Sequence, residues 1–257
     1  MIEAISAGLP AWALVLAMAI TLFAGFVKGT IGFAMPMIMI SFFGSFMSPT
    51  MALAGLILPT LVTNVQQAFR FGLLSFLDAA RRYWRLIVAV IVCIVISAQF
   101  VMAVPQRLLL AALGVSVCLF AGVQLLGRSL ALPIENRNRA EWALGIVGGL
   151  YGGVSGVWGP PVLVYLLSIR AQMRELVLVQ GVIFLLGAVV LTAAHLQSGV
   201  LNAQTLPFSA ALIVPGVVGM LIGFRLQDRL DPERFRWWTL FLLLLTGLNL
   251  LRRALTG

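Results

Sequence analysis

The chain has 257 residues, of which 61% are hydrophobic and 10% charged, and its mean hydropathy is +1.08. A soluble domain carries about 25% charged residues, so composition excludes a water-soluble core and, lacking strand alternation, a closed barrel. The net charge of +9 comes from residues at segment ends rather than from one basic patch, which excludes a nucleic-acid surface and fits cytoplasmic anchoring of membrane loops.

The N-terminal stretch MIEAISAGLPAW has no basic n-region, so no cleaved signal peptide is expected and the first apolar segment serves as the insertion signal. Apolar segments follow at 11–28, 32–48, 51–70, 84–103 and 106–126. After a polar stretch from Gly127 to Glu141 come 141–155, 159–169, 175–196, 206–224 and 236–251. Tyr83, Trp84, Trp142, Trp237 and Trp238 stand at segment starts, where interfacial aromatics belong. Cys93 and Cys118 lie inside apolar segments without metal-ligand spacing and read as packing residues.

An internal repeat divides the chain. AGFVKGTIGFAMP (Ala24–Pro36) aligns with GGLYGGVSGVWGP (Gly148–Pro160), placing Gly25 on Gly149, Gly29 on Gly153, Gly32 on Gly156 and Pro36 on Pro160. Further on, Gly72 falls on Gly199, Pro105 on Pro232 and Arg107 on Arg234. The expected fold is therefore an all-α membrane protein of 8–10 helices in two repeats, residues 1–127 and 128–257. The repeats are inverted relative to each other, because an odd number of segments per repeat reverses the second one. Arg70, Arg81, Arg82 and Arg85 place the loop after segment three in the cytoplasm. Arg128, Arg137, Arg139, Arg170 and Arg174 belong on the same side, as do Arg225, Arg229, Arg234 and Arg236. Both termini are expected outside, with Arg252 and Arg253 as the discordant signal.

Each repeat opens on a hairpin broken by glycine and proline. Backbone released from helix bonding must be buried in protein or line a wet cavity. Segment 159–169 would make about 16 Å of helix at 1.5 Å per residue, against a hydrocarbon core of about 30 Å, so its tip stops inside the membrane; the first hairpin is long enough to go deeper. Helix N-termini beyond the breaks would present partial positive charge to an anion. The other reading of these glycines is close helix packing. Candidate substrate contacts at the tips are Lys28, Gly29, Thr30, Gly32, Pro36, Ser155, Gly156, Trp158, Gly159 and Pro160. Lys28 is the chain's only lysine; it either meets an anionic substrate or anchors the helix at the cytoplasmic face. Segment 51–70 adds Thr60, Asn64, Gln67 and Arg70 on neighbouring stripes of one helix, read as lining a pathway. In the matching second-half helix His195 sits near the outer end, as a solvated or packed residue or as a proton or substrate contact.

The eight acidic residues all fall in loops or at segment ends, so a buried carboxylate of the kind used by cation pumps is not expected. A phosphate-binding GxxxxGK[ST] loop, a metal cluster and a nucleophile–base set are also missing from the sequence. No cofactor, no metal and no enzymatic activity are expected. The implied partners are the lipid bilayer and a small anion, with a homodimer left open.

The paired segments GFVKGTIGFAMP and GGLYGGVSGVWGPP resemble the two signature segments of the TauE/SafE family of bacterial and archaeal sulfite exporters and sulfonate permeases. LPTLVTNVQQAFRFGLLSF and AAHLQSGVL, with Pro59, Thr60, Arg70 and Gly72 and with His195 and Gly199, resemble the family helices that follow. The resemblance runs essentially the whole length, although Lys28 is not part of the pattern. It implies a carrier in the cytoplasmic membrane for sulfite, sulfoacetate or related organosulfonates. A passive anion channel and a carrier of a non-sulfur organic anion remain alternatives.

Overall fold

The computed structural model describes residues 7–226 and 231–256, so Glu3, Asp228 and Arg229 lie outside the described residues. Those residues form helices and no strand. In chain order they are α1 (Ala11–Ile31), α2 (Met35–Phe43), α3 (Pro49–Ala68), α4 (Leu73–Arg82), α5 (Trp84–Ala98) and α6 (Gln106–Leu125). Then follow α7 (Arg137–Ser155), α8 (Gly159–Ser168), α9 (Met173–Gln197), α10 (Thr205–Ala211), α11 (Ile213–Leu226) and α12 (Pro232–Thr256). By length and composition five helices suffice to cross a membrane, counting α10 with α11, and a sixth is added if α3 and α4 count as one bent span. Large apolar side chains such as Val95, Leu119, Val147 and Leu248 are exposed. Lipid tolerates such a surface and water does not. The chain is a multi-pass membrane protein.

Two features differ from the sequence expectation. The arginine-bearing stretch read as a loop after segment three contains α4, which turns 104° away from α3 at Gly72, where φ is +86°. Leu73, Leu74 and Leu77 of α4 are exposed while Arg81 and Arg82 occupy its last turn, the make-up of an interfacial helix. The first hairpin is also no deeper than the second on its return. Its returning arm, expected to reach residue 48, ends as α2 at Phe43, so α2 and α8 hold nine and ten residues. Each covers about 14–15 Å, half a hydrocarbon core.

The breaks have a local cause. α1 ends at Gly32 (φ +82°), whose N–H donates to the Lys28 carbonyl, and α7 ends at Gly156 (φ +72°), whose N–H donates to Gly152. Both are left-handed caps that glycine accepts without steric cost. Pro36 then opens α2, and Pro160 with Pro161 opens α8; each lies in a first turn, where a missing N–H is harmless.

Packing follows the other glycines. α1 runs along α11 so closely that a Cβ on Gly25 would lie 2.2 Å from the Gly216 carbonyl oxygen, and one on Gly219 would lie 2.0 Å from that of Leu22. α7 runs along α5 in the same manner, a Cβ on Gly149 meeting the Val90 carbonyl oxygen at 2.5 Å. α6 packs along α12, and α3 packs along α9. Pro59 interrupts α3 and frees the Gly55 carbonyl. Ser209 of α10 repairs the break, its hydroxyl donating to Gly55 O at 3.5 Å and accepting from Leu58 N at 3.2 Å.

One acidic residue departs from expectation. Glu141 is 1% exposed, so a buried carboxylate is present. It is compensated: the Tyr165 hydroxyl donates to it at 2.6 Å, and Arg137 and Arg85 approach at 3.3 and 3.9 Å. The neighbouring Tyr83 hydroxyl donates to Glu175 at 2.5 Å, and Arg82 pairs with Glu175 at 3.0 Å. Burial, with the hydrogen bond to Glu175, pushes the Tyr83 phenol up to about 12, so it remains a donor at neutral pH. Together these pairs tie α4, α5, α7, α8 and α9 at their arginine-rich ends. Replacing Tyr165 with phenylalanine removes the shortest bond to a buried carboxylate. The expected loss is about 1–3 kcal/mol, read as a lower melting temperature in detergent; an unchanged melting temperature would assign Glu141's compensation to the arginines alone.

Candidate functional site

The two broken tips meet. Phe33, Ala34, Pro36 and Met37 from the first and Gly156, Val157, Trp158, Gly159 and Pro160 from the second line one cavity, closed by Thr60 and Asn64 of α3 and Phe184 of α9. The N-terminal turns of α2 and α8 both contribute to its wall, so their partial positive charges bear on it. Ala34 holds a left-handed φ of +78°, a strained conformation for a residue with a Cβ. The free space is about 20 Å³, enough for about one water molecule.

Two buried polar atoms of the lining residues have no partner: the Thr60 hydroxyl and the Trp158 indole nitrogen. Thr63, one turn along α3, shows the ordinary alternative, donating back to the Pro59 carbonyl at 2.7 Å. Trp158 is wedged between glycines, its ring 2.9 Å from where Cβ atoms on Gly152 and Gly187 would stand, and it meets Phe184 edge-on at 6.3 Å. Such a fit leaves its N–H little freedom to turn elsewhere.

Beside the cavity lies Lys28, 2% exposed. Its Nζ donates to Thr63 Oγ1 at 2.9 Å and to Asn64 Oδ1. Asn64 in turn donates from Nδ2 to the Phe184 carbonyl at 2.8 Å, which sets its oxygen toward the lysine. Among the described residues no carboxylate pairs with Lys28. The anchoring alternative required a solvated end, and burial removes it.

The remaining sequence candidates sort by position. Gly29 faces α11, a Cβ there meeting the Met220 carbonyl oxygen at 2.3 Å, so it serves packing. Thr30 bonds back to the Val27 carbonyl at 2.8 Å. The Gly32 carbonyl accepts from Gln67 Nε2 at 2.8 Å. Ser155 shapes the second tip, donating to Tyr151 O at 2.7 Å and accepting from Val157 N at 3.1 Å. Arg70 is exposed and lies over the Phe224 ring at 5.0 Å, away from the cavity. His195 is fully buried, with Nε2 on the Gly153 carbonyl at 2.9 Å and Nδ1 on Ser198 Oγ at 3.0 Å. Gln67 and His195 thus do the same work, each meeting a carbonyl left free near the end of a broken helix.

Phe33, Ala34, Met37, Val157 and Phe184 were not among the candidates. The first four lie in or beside the matched Gly-to-Pro intervals, and that interval was the available signal; Phe184 required the packing of α9.

A family model described as Sulfite exporter TauE/SafE matches residues 17–250, which includes both tips, α3 and α9. The chain belongs to the TauE/SafE family. The family is one of membrane transporters, and the matched span covers every residue that lines the cavity. No match was found among curated proteins or among solved structures.

Proposed function

We propose that this TauE/SafE protein is a secondary carrier for small sulfur-containing anions, sulfite, sulfoacetate or another organosulfonate, that binds its cargo between the two broken tips. The observation that carries the reading is Lys28, a buried amine with no carboxylate partner among the described residues, beside a cavity whose walls include an unused hydroxyl and an unused N–H. An isolated buried charge is costly, and an oxyanion supplies both the missing counter-charge and the missing acceptors.

Alternating access between two inverted halves is the motion we assign to it. The matched glycines support the symmetry. Gly25 of the first half packs on α11 of the second, and Gly149 of the second half packs on α5 of the first. Gly32 and Gly156 both end a helix with positive φ. A cavity that holds about one water is too small for sulfite, so entry requires the tips to part. The positive-inside rule supports a cytoplasmic face for the arginine-rich ends joined through Glu141 and Glu175.

The test is flux into proteoliposomes of labelled sulfite, sulfoacetate and taurine, with and without a pH gradient. Saturable transport of at least one is expected, together with a raised melting temperature in its presence. If none is moved and none protects against heat, the sulfur-anion assignment fails. Conductance that grows with voltage and does not saturate would replace the carrier with a channel.

A further inference from the structure

Gln180, in the second turn of α9, was given no role above. It is 1% exposed, and neither its side-chain oxygen nor its nitrogen has a hydrogen-bond partner. An unsatisfied buried amide is rare enough in a folded protein to require an explanation.

Its neighbours on α9 locate it. Val177 lies against the Gly32 tip, its Cγ2 3.8 Å from where a Cβ on Gly32 would stand. Gly181 packs on the backbone of Gln67 and Ala68, where an added Cβ would stand 3.1 Å from both the Gln67 carbonyl oxygen and the Ala68 Cα. Phe184 closes the cavity and accepts from Asn64. Residues 177, 180, 181 and 184 recur at helical spacing and share a face, so Gln180 sits in the seam between α3 and α9, beside the first tip and one turn from the cavity residue Phe184. Gln67 enters the same seam from α3 with its Oε1 also unpartnered. Leu178 and Val179, which the same spacing turns away from the Gln180 face, line an open vestibule of about 370 Å³ together with Arg82, Gln172 and Arg174. That vestibule is at the arginine-rich end.

We propose that Gln180, with Gln67, forms an inner anion subsite one turn from the cavity toward the arginine-rich end. The inference rests on the carrier reading. As the tips part, a sulfite or sulfonate oxygen leaves the Trp158 and Thr60 donors and takes the Gln180 amide N–H, while the free amide oxygens accept from the water that follows. A neutral amide suits a transit site, because a second fixed cation beside Lys28 would hold the anion too firmly to release it. The arginines of the vestibule then meet the anion where water screens them.

Two experiments test this. Gln180→Leu keeps the bulk and removes both polar atoms, and it is assayed in proteoliposomes beside wild type. Maximal flux should fall about tenfold, the scale of one hydrogen bond to a charged partner, while heat stability holds or rises and equilibrium affinity for the anion stays within about twofold. Unchanged flux overturns the proposal. So does a parallel fall of flux and melting temperature, which would make Gln180 a holder of structural water.

The second experiment introduces Gln180→Cys into protein with Cys93 and Cys118 replaced by alanine, probed with a sulfonate-bearing, membrane-impermeant methanethiosulfonate. Labelling in inside-out vesicles, slowed by excess sulfoacetate (which, unlike sulfite, does not react with the reagent) and absent in right-side-out ones, is expected. No reaction from either face overturns the inner path. This readout does not require the natural cargo to be known: if wild type carries none of the sulfur anions yet position 180 labels from inside, the substrate assignment falls and the path stands.

Discussion

Replacing Lys28 with methionine should weaken sulfur-anion binding roughly ten- to a hundredfold and reduce flux in proportion, while leaving the protein folded. Methionine is one heavy atom shorter than lysine, unbranched and readily packed, so the change deletes the amine without leaving a large void. A hydrogen bond to a charged group contributes about 1.5–3 kcal/mol, which sets the range. Stability responds to opposing terms. The Asn64 amide oxygen loses its donor, at a cost of about 1–3 kcal/mol, and the desolvation of a buried ammonium is relieved. Because Asn64 still donates to Phe184, its geometry survives, and the net shift in melting temperature should be small. Isothermal titration and thermal scanning of the purified protein separate the outcomes. A large drop in melting temperature with unchanged affinity would make Lys28 a structural tie between α1 and α3, and the anion site would have to be sought elsewhere.

How far the sequence could lead is clearest at the matched glycines. Their alignment located both tips and the helices that end there. It could not separate two tasks that the same residue type performs. Gly25 and Gly29, like Gly149 and Gly153, stand four apart on one helix face and allow backbones to touch; Gly32 and Gly156 turn the chain into the left-handed region. The four-residue spacing is itself a packing signal, so the distinction was partly legible, but which helix received each face depended on α5 and α11, far away in sequence. Helix α4 escaped for a different reason. Its leucines and arginines cancel in a hydropathy average, and an interfacial helix shows only in their periodic separation. Glu141 was misjudged because a position at a segment end says nothing about the tyrosine and arginines that fold over it. Gln180 was visible as a polar residue in an apolar helix, and only the absence of partners gives it meaning.

The two glycine classes should also part under substitution. Gly25→Ala and Gly219→Ala each place a methyl about 2 Å from a carbonyl oxygen of the facing backbone, far inside van der Waals contact. Neither backbone yields without separating α1 from α11. These variants should lose more than about 3 kcal/mol, seen as little folded protein recovered from membranes and an early, broad melting transition. Gly32→Ala meets only an ordinary van der Waals contact, Val177 Cγ2 at 3.8 Å, and its penalty is only the left-handed φ, about 1–2 kcal/mol. It should therefore fold. Its effect belongs to function, because the cap it strains adjoins the strained Ala34 and the cavity wall. Stable Gly32→Ala protein with altered anion affinity, set beside unstable Gly25→Ala, is the expected pattern. Equal instability in both would mean that the tip is only a packing element, and the site would lose one of its two walls. A Gly156→Ala variant gives an independent check on the second tip with a harsher prospect. There the added methyl lies 2.7 Å from Leu56 Cδ1, so strain and crowding add, and its loss of stability should fall between those of Gly32→Ala and Gly25→Ala.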